Sequence, residues 1–367
     1  MPSSRVKIYG AGSIGNHLAH ACRTLGWSVV VCDINERALE RMKKDIYPNR
    51  YGNWDDAIQL CTNSKAPHGV YDFILIGTPP EYHLPLAMEA LEERPKAILV
   101  EKPACPPHMK LAQNLVEAAE SNGVRVFVGY DHVVGRATQI AEELVASRQI
   151  GDIIFLDVEF REHWEGIFKA HHWLNGPKDS YLGYWEQGGG ASGEHSHALN
   201  LWQHFAHQFG KGRVAEVEAM VTYVEEDGAR YDSIATWNLR TENGLHGRVV
   251  QDVVTRPHRK LARIQGTDGC VEWSANHSPN GDAVLLHRPG AAVQVTPVEK
   301  KRPDDFIAEM RHVAACVDER RPSPIELRRG LDTALLVLAA HKSEAQKCRM
   351  KINWAMGYTP EAIVPCQ

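Results

Sequence analysis

The stretch RVKIYGAGSIGNHLAHACRTLGWSVVVCDIN, residues 5–35, decides how the first part of the chain folds. It begins with a short apolar run, continues through three glycines in the order GxGxxG, and passes through a helical pattern into a second apolar run. A strand, a glycine turn, a helix and a second strand form the first unit of a parallel sheet whose two faces are covered by helices. The stretch therefore predicts an α/β domain at the start of the chain.

The same alternation continues to about residue 130. Apolar runs recur at residues 73–76, 97–100 and 124–128, and helical patterns lie between them at 36–45, 83–92 and 108–121. Strands rich in Val and Ile without polar alternation are typical of a sheet buried on both faces. We therefore expect a Rossmann-type, doubly wound parallel sheet in residues 1–130.

The pattern changes after about residue 150. Short strand patterns follow one another through tight polar turns such as TENG and GTDG, and two helical patterns, at 306–317 and 331–343, lie near the end of the sequence. Successive strands joined by short turns indicate antiparallel pairing. Residues 131–367 are therefore predicted to be an α+β domain with a large, open, mostly antiparallel sheet, whose last helices are free to pack back on the first domain.

Composition excludes several classes of protein. The chain has 367 residues, a formal net charge of −5 and 43% hydrophobic residues, which favours two ordinary globular domains. A net negative charge argues against nucleic acid as the main partner, and no apolar run is long enough for a membrane span. The eight cysteines are scattered without a CxxC pair, and MPSSRVKIYG leads directly into a strand, so we expect a cytoplasmic protein without a signal peptide.

The glycine turn predicts a dinucleotide site. Gly10 permits the tight turn, Gly12 lets a pyrophosphate approach the backbone, and Gly15 lets the helix pack closely on the strand. The site is expected to consist of the turn and the carboxylate about 20 residues later, namely Gly10, Gly12, Ser13, Ile14, Gly15 and Asp33. Because no Arg or Lys directly follows Asp33 to receive a 2′-phosphate, NAD is expected rather than NADP.

Two later strand ends carry further candidates. In GTPPEYHLPLAMEALE, residues 77–92, the rigid turn at Thr78, Pro79 and Pro80 is expected to lie against the cofactor, with His83 in the next helix. In LVEKPA, residues 99–104, Lys102 follows a strand directly. Ligands bind at the carboxyl ends of strands in such sheets, so Lys102 is expected to hold the oxygen of a reacting alcohol.

These motifs resemble those of the Gfo/Idh/MocA oxidoreductases. The resemblance rests on GAGSIG with Asp33, on TPPEYHLPLAMEALE followed by EKPA, on GGGASGEHSHALNLW, and on IQGTDGCVEW with the two C-terminal helices. It implies a Rossmann domain joined to an open antiparallel sheet that forms oligomer contacts, and NAD(P)-dependent chemistry on sugars, cyclitols or sugar nucleotides. It also implies that Glu101 of EKP lines the cofactor site, and that Lys102 and a D-x-x-x-H pair handle the proton.

The stretch GGGASGEHSHALNL, residues 188–201, departs from the family's D-x-x-x-H spacing. Glu194 and His197 are three residues apart, and on one helix these side chains would share a face, whereas His195 would point elsewhere. Three roles fit this chemistry: metal ligation, helix capping and proton transfer. We expect proton transfer with no bound metal, because an H-x-H pair diverges on a helix and an imidazole beside a carboxylate suits a base at neutral pH.

Further residues are expected to contact the substrate. Asp131 and His132 lie at the predicted domain junction, and Lys169, His172 and Trp173 lie in a segment dense in aromatic residues. Aromatic faces with polar tips suit a polyhydroxylated ligand, although the same loop could equally pack its own aromatic residues.

The sequence thus predicts an NAD-dependent dehydrogenase of a carbohydrate-like hydroxyl. Two alternatives stay open: an NAD-recycling hydrolase or lyase of the same fold, and a non-catalytic NAD-bound sensor. The antiparallel sheet also predicts a homo-oligomer, a dimer or tetramer, because its second face needs a cover. The expected interface residues alternate along two strands: Val217, Ala219, Val221, Val249 and Val253.

Overall fold

The computed structural model describes residues 4–366 and divides the chain into two compact units. Unit 1 contains the residues up to Cys105, together with Leu111–Asp131 and Arg302–Gly330. Unit 2 contains Pro106–Lys110, His132–Lys301 and the chain from Leu331 onward. Each unit therefore combines stretches that are far apart in the sequence.

The strands of the described residues, in chain order, are β1 (Arg5–Tyr9), β2 (Ser28–Asp33), β3 (Ile58–Thr62), β4 (Phe73–Ile76), β5 (Ala97–Val100), β6 (Arg125–Val128), β7 (Ile153–His163), β8 (Val214–Glu226), β9 (Ala229–Thr241), β10 (His246–Asp252), β11 (Val254–Gly266), β12 (Cys270–Ser278), β13 (Gly281–His287), β14 (Gln294–Glu299), β15 (Met350–Ile352) and β16 (Ile363–Pro365).

The α-helices are α1 (Ser13–Thr24), α2 (Glu36–Arg41), α3 (Tyr47–Tyr51), α4 (His83–Glu92), α5 (Ala112–Asn122), α6 (Arg136–Ala146), α7 (Trp164–Ala170), α8 (Gly190–Glu194), α9 (His197–Gln208), α10 (Asp304–Asp318) and α11 (Leu327–Gln346). A single π-helical turn, Met42–Ile46, connects α2 and α3. In the chain that the structure describes, no helix is both long and apolar enough to cross a membrane.

Unit 1 is built on a parallel sheet of six described strands in the order β3-β2-β1-β4-β5-β6. Chain order reverses between β1 and β4, which is the Rossmann arrangement and places the ligand crevice at the carboxyl ends of those strands. Every residue of β4 and β5 is buried, as the unbroken apolar runs predict. Helix α10 belongs to this unit, where the Phe306 ring stacks on His17 of α1 at 4.8 Å.

Unit 2 is built on a sheet of ten described strands in the order β14-β13-β12-β11-β7-β10-β9-β8-β15-β16. Neighbouring strands are antiparallel except β7 and β10, which run parallel. The two sheets confirm the fold class predicted from the sequence: a Rossmann sheet followed by a large, mostly antiparallel sheet.

The chain's own helices cover one face of the unit 2 sheet. The Trp202 indole of α9 donates to the Leu156 carbonyl of β7 (3.1 Å), and the Trp237 indole of β9 donates to the Leu336 carbonyl of α11 (3.2 Å). Both tryptophans are fully buried. The core of unit 2 therefore lies between this face and helices α9 and α11.

The apolar residues expected at an oligomer interface lie on this covered face, so their predicted role is wrong. Ala219 and Val249 both pair in register with Trp237, and none of the five predicted interface residues is more than 8% exposed. The physical reason is that successive side chains of a strand point to opposite faces of the sheet. The apolar side chains of each strand lie on one face, and the chain's own helices cover that face.

The opposite face of the sheet is polar. Ion pairs cross between neighbouring strands, with Arg248 on Asp157 (2.7 Å), Arg259 on Glu159 (2.6 Å) and Arg263 on Glu272 (2.8 Å). Met220 directly follows Ala219, which is on the covered face, so its side chain lies on the opposite face, where it is 75% exposed. A partner on this face would therefore meet a charged surface with isolated apolar side chains.

Candidate active site

The glycine turn connects β1 to α1. Gly10 has φ of +101°, and a Cβ on it would lie 2.7 Å from the Gly77 carbonyl oxygen. A Cβ on Gly15 would lie 1.9 Å from the Gly10 carbonyl oxygen, so only glycine lets the helix pack against the turn. A Cβ on Gly12 would meet no described atom within 4 Å. This open backbone, next to the first N–H groups of α1 at Ser13 and Ile14, has the features of an anion cradle.

The Asp33 carboxylate is fixed beside this turn. Its Oδ2 accepts from the Ala11 N–H (2.8 Å), and its Oδ1 accepts from the Asn35 N–H (2.8 Å). A carboxylate has about four lone-pair sites, so both oxygens keep capacity for ribose hydroxyls. The next residue, Ile34, is 83% exposed and adds no positive charge.

Arg50, which was not predicted from the sequence, contacts the first residue of α1 through its side chain. Its guanidinium donates to the Ser13 carbonyl oxygen (2.8 Å) and to the Ser13 Oγ (2.8 Å). Arg50 belongs to the short helix α3, which no motif indicated. In the sequence Arg50 lies in the stretch YPNRY, residues 47–51, and this pattern predicts no ligand.

His83 joins the two loops that carry the other predicted cofactor residues. Its Nδ1 lies 2.9 Å from the Pro103 carbonyl oxygen, and its Nε2 lies 2.7 Å from the Thr78 carbonyl oxygen. Burial lowers the pKa of His83 to about 4, so the ring is neutral at pH 7 and donates to one of these carbonyls. The structure thus gives His83 a positioning role between the Thr78–Pro79–Pro80 turn and the EKPA loop.

The Thr78 side chain remains open to a further interaction. Its Oγ1 is buried and has no hydrogen-bond partner among the described residues, whereas Pro79 is exposed and Pro80 is buried. A buried hydroxyl without a partner is costly unless a ligand or water satisfies it. This observation is compatible with a cofactor group beside the turn.

Glu101 and Lys102 follow β5. Glu101 is buried, its Oε2 accepts from the Lys102 N–H (3.3 Å), and its carboxylate fills the space where a Cβ of Gly129 would lie. Burial, reinforced by the charge of Asp131 and opposed by that of Lys102, raises the pKa of Glu101 to about 8. Lys102 itself is partly exposed.

A third buried carboxyl, Glu309 of α10, belongs to the same unit. It is fully buried, and neither of its oxygens has a hydrogen-bond partner among the described residues. Burial, followed by the charges of Glu101 and Asp131, holds the pKa of Glu309 well above its usual range. Unit 1 therefore concentrates three buried acids near the EKP motif.

The glycine-rich stretch forms two helices, which corrects the expectation of a single helix. Glu194 is the last residue of α8 and His197 is the first residue of α9, with a two-residue turn at His195 and Ser196 between them. Glu194 and His197 therefore do not share the face of one continuous helix. Glu194 and His197 are both partly exposed, whereas His195 is buried. Helix α8 is held by a separate polar network.

That network centres on Asp232 of β9. Its carboxylate accepts from the Ser192 N–H (2.6 Å) and from the Ser192 Oγ (3.1 Å), and Ser192 also contacts His341 Nε2 (3.2 Å). Tyr223 completes the chain at His341 Nδ1 (2.6 Å). Burial raises the pKa of Asp232 to about 6 and lowers the pKa of His341 to about 3, so the imidazole is neutral. The network fixes α8, and with it Glu194.

His197 lies in an aromatic cluster of unit 2. Its ring centroid is 4.8 Å from that of His132, and the ring of Phe160 stacks both near His197 (6.4 Å) and on Trp273 (5.8 Å). The structure thus brings together two predicted site residues, one catalytic and one for substrate. Asp131, which ends the Leu111–Asp131 stretch of unit 1, is buried.

The aromatic loop is divided between core and surface. Trp164 is buried in a cluster with Leu182 and Tyr231, whereas Lys169 and His172 are exposed and Trp173 is half-buried. The rings of His172 and Trp173 are 5.1 Å apart. Part of this loop therefore packs its own aromatic residues, and the predicted substrate residues form its outer part.

Comparison with known families matches both parts of the chain. The family model for the NAD-binding Rossmann domain of the Gfo/Idh/MocA oxidoreductases matches residues 4–130, and the model for the family's C-terminal domain matches residues 138–272. The chain belongs to the Gfo/Idh/MocA oxidoreductase family. This membership confirms the resemblance of its motifs and the presence of an NAD-binding domain. Comparison with curated proteins finds no match.

Solved structures with a similar fold cover nearly the whole chain. WlbA dehydrogenase from Bordetella pertussis, in complex with NADH and UDP-GlcNAcA, is 19% identical, covers 100% of both chains and has a TM-score of 0.70. Levoglucosan dehydrogenase with NADH and levoglucosan is 16% identical, with 95% and 98% coverage and a TM-score of 0.76. An oxidoreductase from Agrobacterium radiobacter, in complex with NAD+, L-tartaric acid and magnesium, is 18% identical, with 95% and 98% coverage and a TM-score of 0.74. At these identities the likeness concerns the fold.

Proposed function

We propose that this family member is an NAD-dependent dehydrogenase of a secondary hydroxyl on a sugar, cyclitol or sugar nucleotide. The observation that carries the proposal is the Asp33 carboxylate, held 2.8 Å from the Ala11 N–H beside the open backbone of Gly12. This arrangement suits the two ribose hydroxyls of NAD and repels the 2′-phosphate of NADP. The structural neighbours with bound NAD or NADH support the same choice.

The described residues fit this cofactor. The turn from Gly10 to Gly15 would hold the pyrophosphate, and Arg50 adds positive charge at its Ser13 end. The Thr78–Pro80 turn and Glu101 would border the nicotinamide. NAD bound there would supply the acceptor for the hydride of the alcohol carbon.

The chain's own residues move the proton. Lys102 would bind the hydroxyl oxygen and stabilise the charge that develops on it, and His197 would accept its proton. Glu194 would orient His197 or act in its place. His132, whose ring lies beside that of His197, is proposed to bind a sugar hydroxyl, and Asp131, Lys169, His172 and Trp173 are proposed as further contacts.

The test is a screen for NADH formation with untagged protein, against a panel of sugars, cyclitols and nucleotide sugars. The expected result is NADH formation with one substrate class, lost in Lys102→Ala while NAD binding is retained. Conversion of a substrate without accumulation of NADH would instead indicate NAD-recycling hydrolase or lyase chemistry. NAD binding with no turnover of any class would favour a sensor.

We also propose a homo-oligomer in the cytoplasm. Among the described residues no cysteine pair forms a disulfide, which fits a reducing compartment. The polar face of the unit 2 sheet is the remaining candidate interface, because the apolar face is covered. Light scattering should give twice the chain mass of 41.0 kDa or more, and a mass of one chain at all concentrations would contradict the oligomer.

A further inference from the structure

A cluster of metal-ligating side chains lies on the polar face of the unit 2 sheet, apart from every residue assigned above to the cofactor or substrate. Cys270, Glu272 and His287 each direct a ligand atom into one space, and these atoms all lie within 4.8 Å of one another. Cys270 is 1% exposed, and the side chains of Glu272 and His287 are 19% and 33% exposed.

The strand register explains why these three residues meet. Cys270 of β12 and His287 of β13 are directly opposite each other in the antiparallel pair, and Glu272 follows two residues later on the same face of β12. Opposite residues in such a pair have their Cβ atoms about 4.5–5.5 Å apart. The three ligands therefore lie on paired strands, which hold them more rigidly than a loop would.

We propose that Cys270, Glu272 and His287 form a binding site for a zinc-class divalent transition-metal ion. Thiolate, imidazole and carboxylate are the three ligand types that zinc takes in proteins, and their bond lengths of about 2.0–2.3 Å place tetrahedral ligand atoms roughly 3.5 Å apart. The Glu272 Oε2 and His287 Nε2 are already 3.2 Å apart, so small side-chain rotations would admit the ion. A water molecule would take the fourth position.

The neighbouring strand orients the carboxylate. Arg263 of β11 lies opposite Glu272 and donates to its Oε1 (2.8 Å), which leaves Oε2 directed toward His287. Gln265 in turn accepts from the Arg263 guanidinium (2.9 Å). Such outer contacts fix the ligands of natural metal sites. The Cys270 thiolate and the Glu272 carboxylate would together neutralise the two positive charges of the ion. The Arg263 cation contacts Oε1 of Glu272, on the side away from His287.

Mg²⁺ and Ca²⁺ do not suit this site, because they prefer all-oxygen ligand sets. The ion would join β12 to β13 near one edge of the sheet, and its role would be structural. The proposal is independent of the dehydrogenase proposal, because none of its residues takes part in that chemistry.

The test uses untagged full-length protein that has been treated with a chelator and desalted. We expect one equivalent of Co²⁺ to produce a thiolate-to-cobalt charge-transfer band, which one equivalent of Zn²⁺ displaces and Mg²⁺ does not. Zn²⁺ should also raise the midpoint of thermal unfolding, because it binds the folded state. Cys270→Ser, Glu272→Gln and His287→Gln each remove a metal ligand. Because loss of a residue that only orients a ligand already weakens metal binding by about 10- to 100-fold, each variant should weaken Co²⁺ binding by about 100-fold or more.

Cys348→Ser is the matched control, because Cys348 is a partly buried thiol outside the cluster and its loss should leave the band unchanged. All variants should keep the wild-type far-ultraviolet circular dichroism spectrum, which verifies their fold. His287→Gln alters a partly exposed side chain and keeps the test valid if Cys270→Ser does not fold. A band that persists in Cys270→Ser, or the absence of stoichiometric Co²⁺ binding to the wild type, would overturn the proposal.

Discussion

Asp33 is the residue on which the choice of cofactor depends. Hydrogen bonds to a charged group contribute about 1.5–3 kcal/mol, so Asp33→Ala should weaken NAD binding roughly ten- to hundredfold. NADP binding should change much less or improve, because the repulsion of its phosphate is also removed. Titration with both nucleotides measures the ratio. Asp56→Ala, at an exposed position of the same unit, is the control, and equal losses for the two nucleotides would contradict the role of Asp33.

His197 is the residue on which the proton transfer depends. Loss of a general base typically costs a factor of about 10² to 10⁴, so His197→Ala should lower kcat by that amount while NAD binding stays the same. His207→Ala on the same helix is the control, because His207 is 3.9 Å from Asp332 and outside the aromatic cluster. Near-normal kcat in His197→Ala on a confirmed substrate would exclude the proposed role.

Among the elements, the five-residue helix α8 depends on a close contact between a glycine and a carboxylate. Gly190 has φ of +72°, and a Cβ on it would lie 2.0 Å from the Asp232 Oδ1. Gly228 has φ of +84°, but a Cβ there would meet no described atom within 4 Å. Gly228→Ala should therefore lower the free energy of unfolding only by the cost of a left-handed backbone, about 1–2 kcal/mol. Gly190→Ala adds a steric clash with Asp232 to this cost.

Urea denaturation should therefore show a larger loss of unfolding free energy for Gly190→Ala than for Gly228→Ala. Because Ser192 and Glu194 lie on the displaced helix, Gly190→Ala should also lower kcat. Equal losses in the two variants would show that the Asp232 contact does not constrain α8.

The sequence predicted the elements whose signals are local. Unbroken apolar runs identified β4 and β5, and the glycine turn identified the start of α1 and the NAD-binding domain. β3 was not predicted, since Gln59 and Thr62 interrupt its apolar residues. The break between Glu194 and His197 was not predicted either, and the hydrogen bond that holds α8 joins Ser192 to Asp232, which lies 40 residues away in the sequence.

In the whole molecule, buried acids make stability depend on pH. Glu309 and Glu101 have pKa values raised by burial, to about 8 for Glu101 from an ordinary value of 4.5. A raised pKa means that the folded state keeps a proton which the unfolded chain has lost. The resulting stability is fully present below pH 4.5 and decreases as the pH rises toward 8 and above.

The unfolding midpoint of the wild type should therefore fall between pH 7 and pH 9, where the buried imidazoles of His83 and His341 are neutral and do not oppose the effect of the acids. Glu309→Gln, which keeps a neutral polar side chain, should make this fall smaller. Glu117→Gln, at an exposed position, should follow the wild-type curve. Parallel curves for Glu309→Gln and the wild type would show that Glu309 is not the source of the dependence.

Unit 1 is assembled from separate stretches of the chain, and this limits recombination of its domain with those of related proteins. Its nucleotide-binding sheet is completed by a late stretch of chain: the Val128 N–H donates to the Ile325 carbonyl (2.8 Å), and Phe306 stacks on His17. A recombination event that joined a foreign cofactor domain at residue 131 would leave residues 302–330 from the original parent. Chimaeras should therefore fold best when both segments are inherited together, so that a change of cofactor preference within this lineage proceeds by point substitution more readily than by domain exchange.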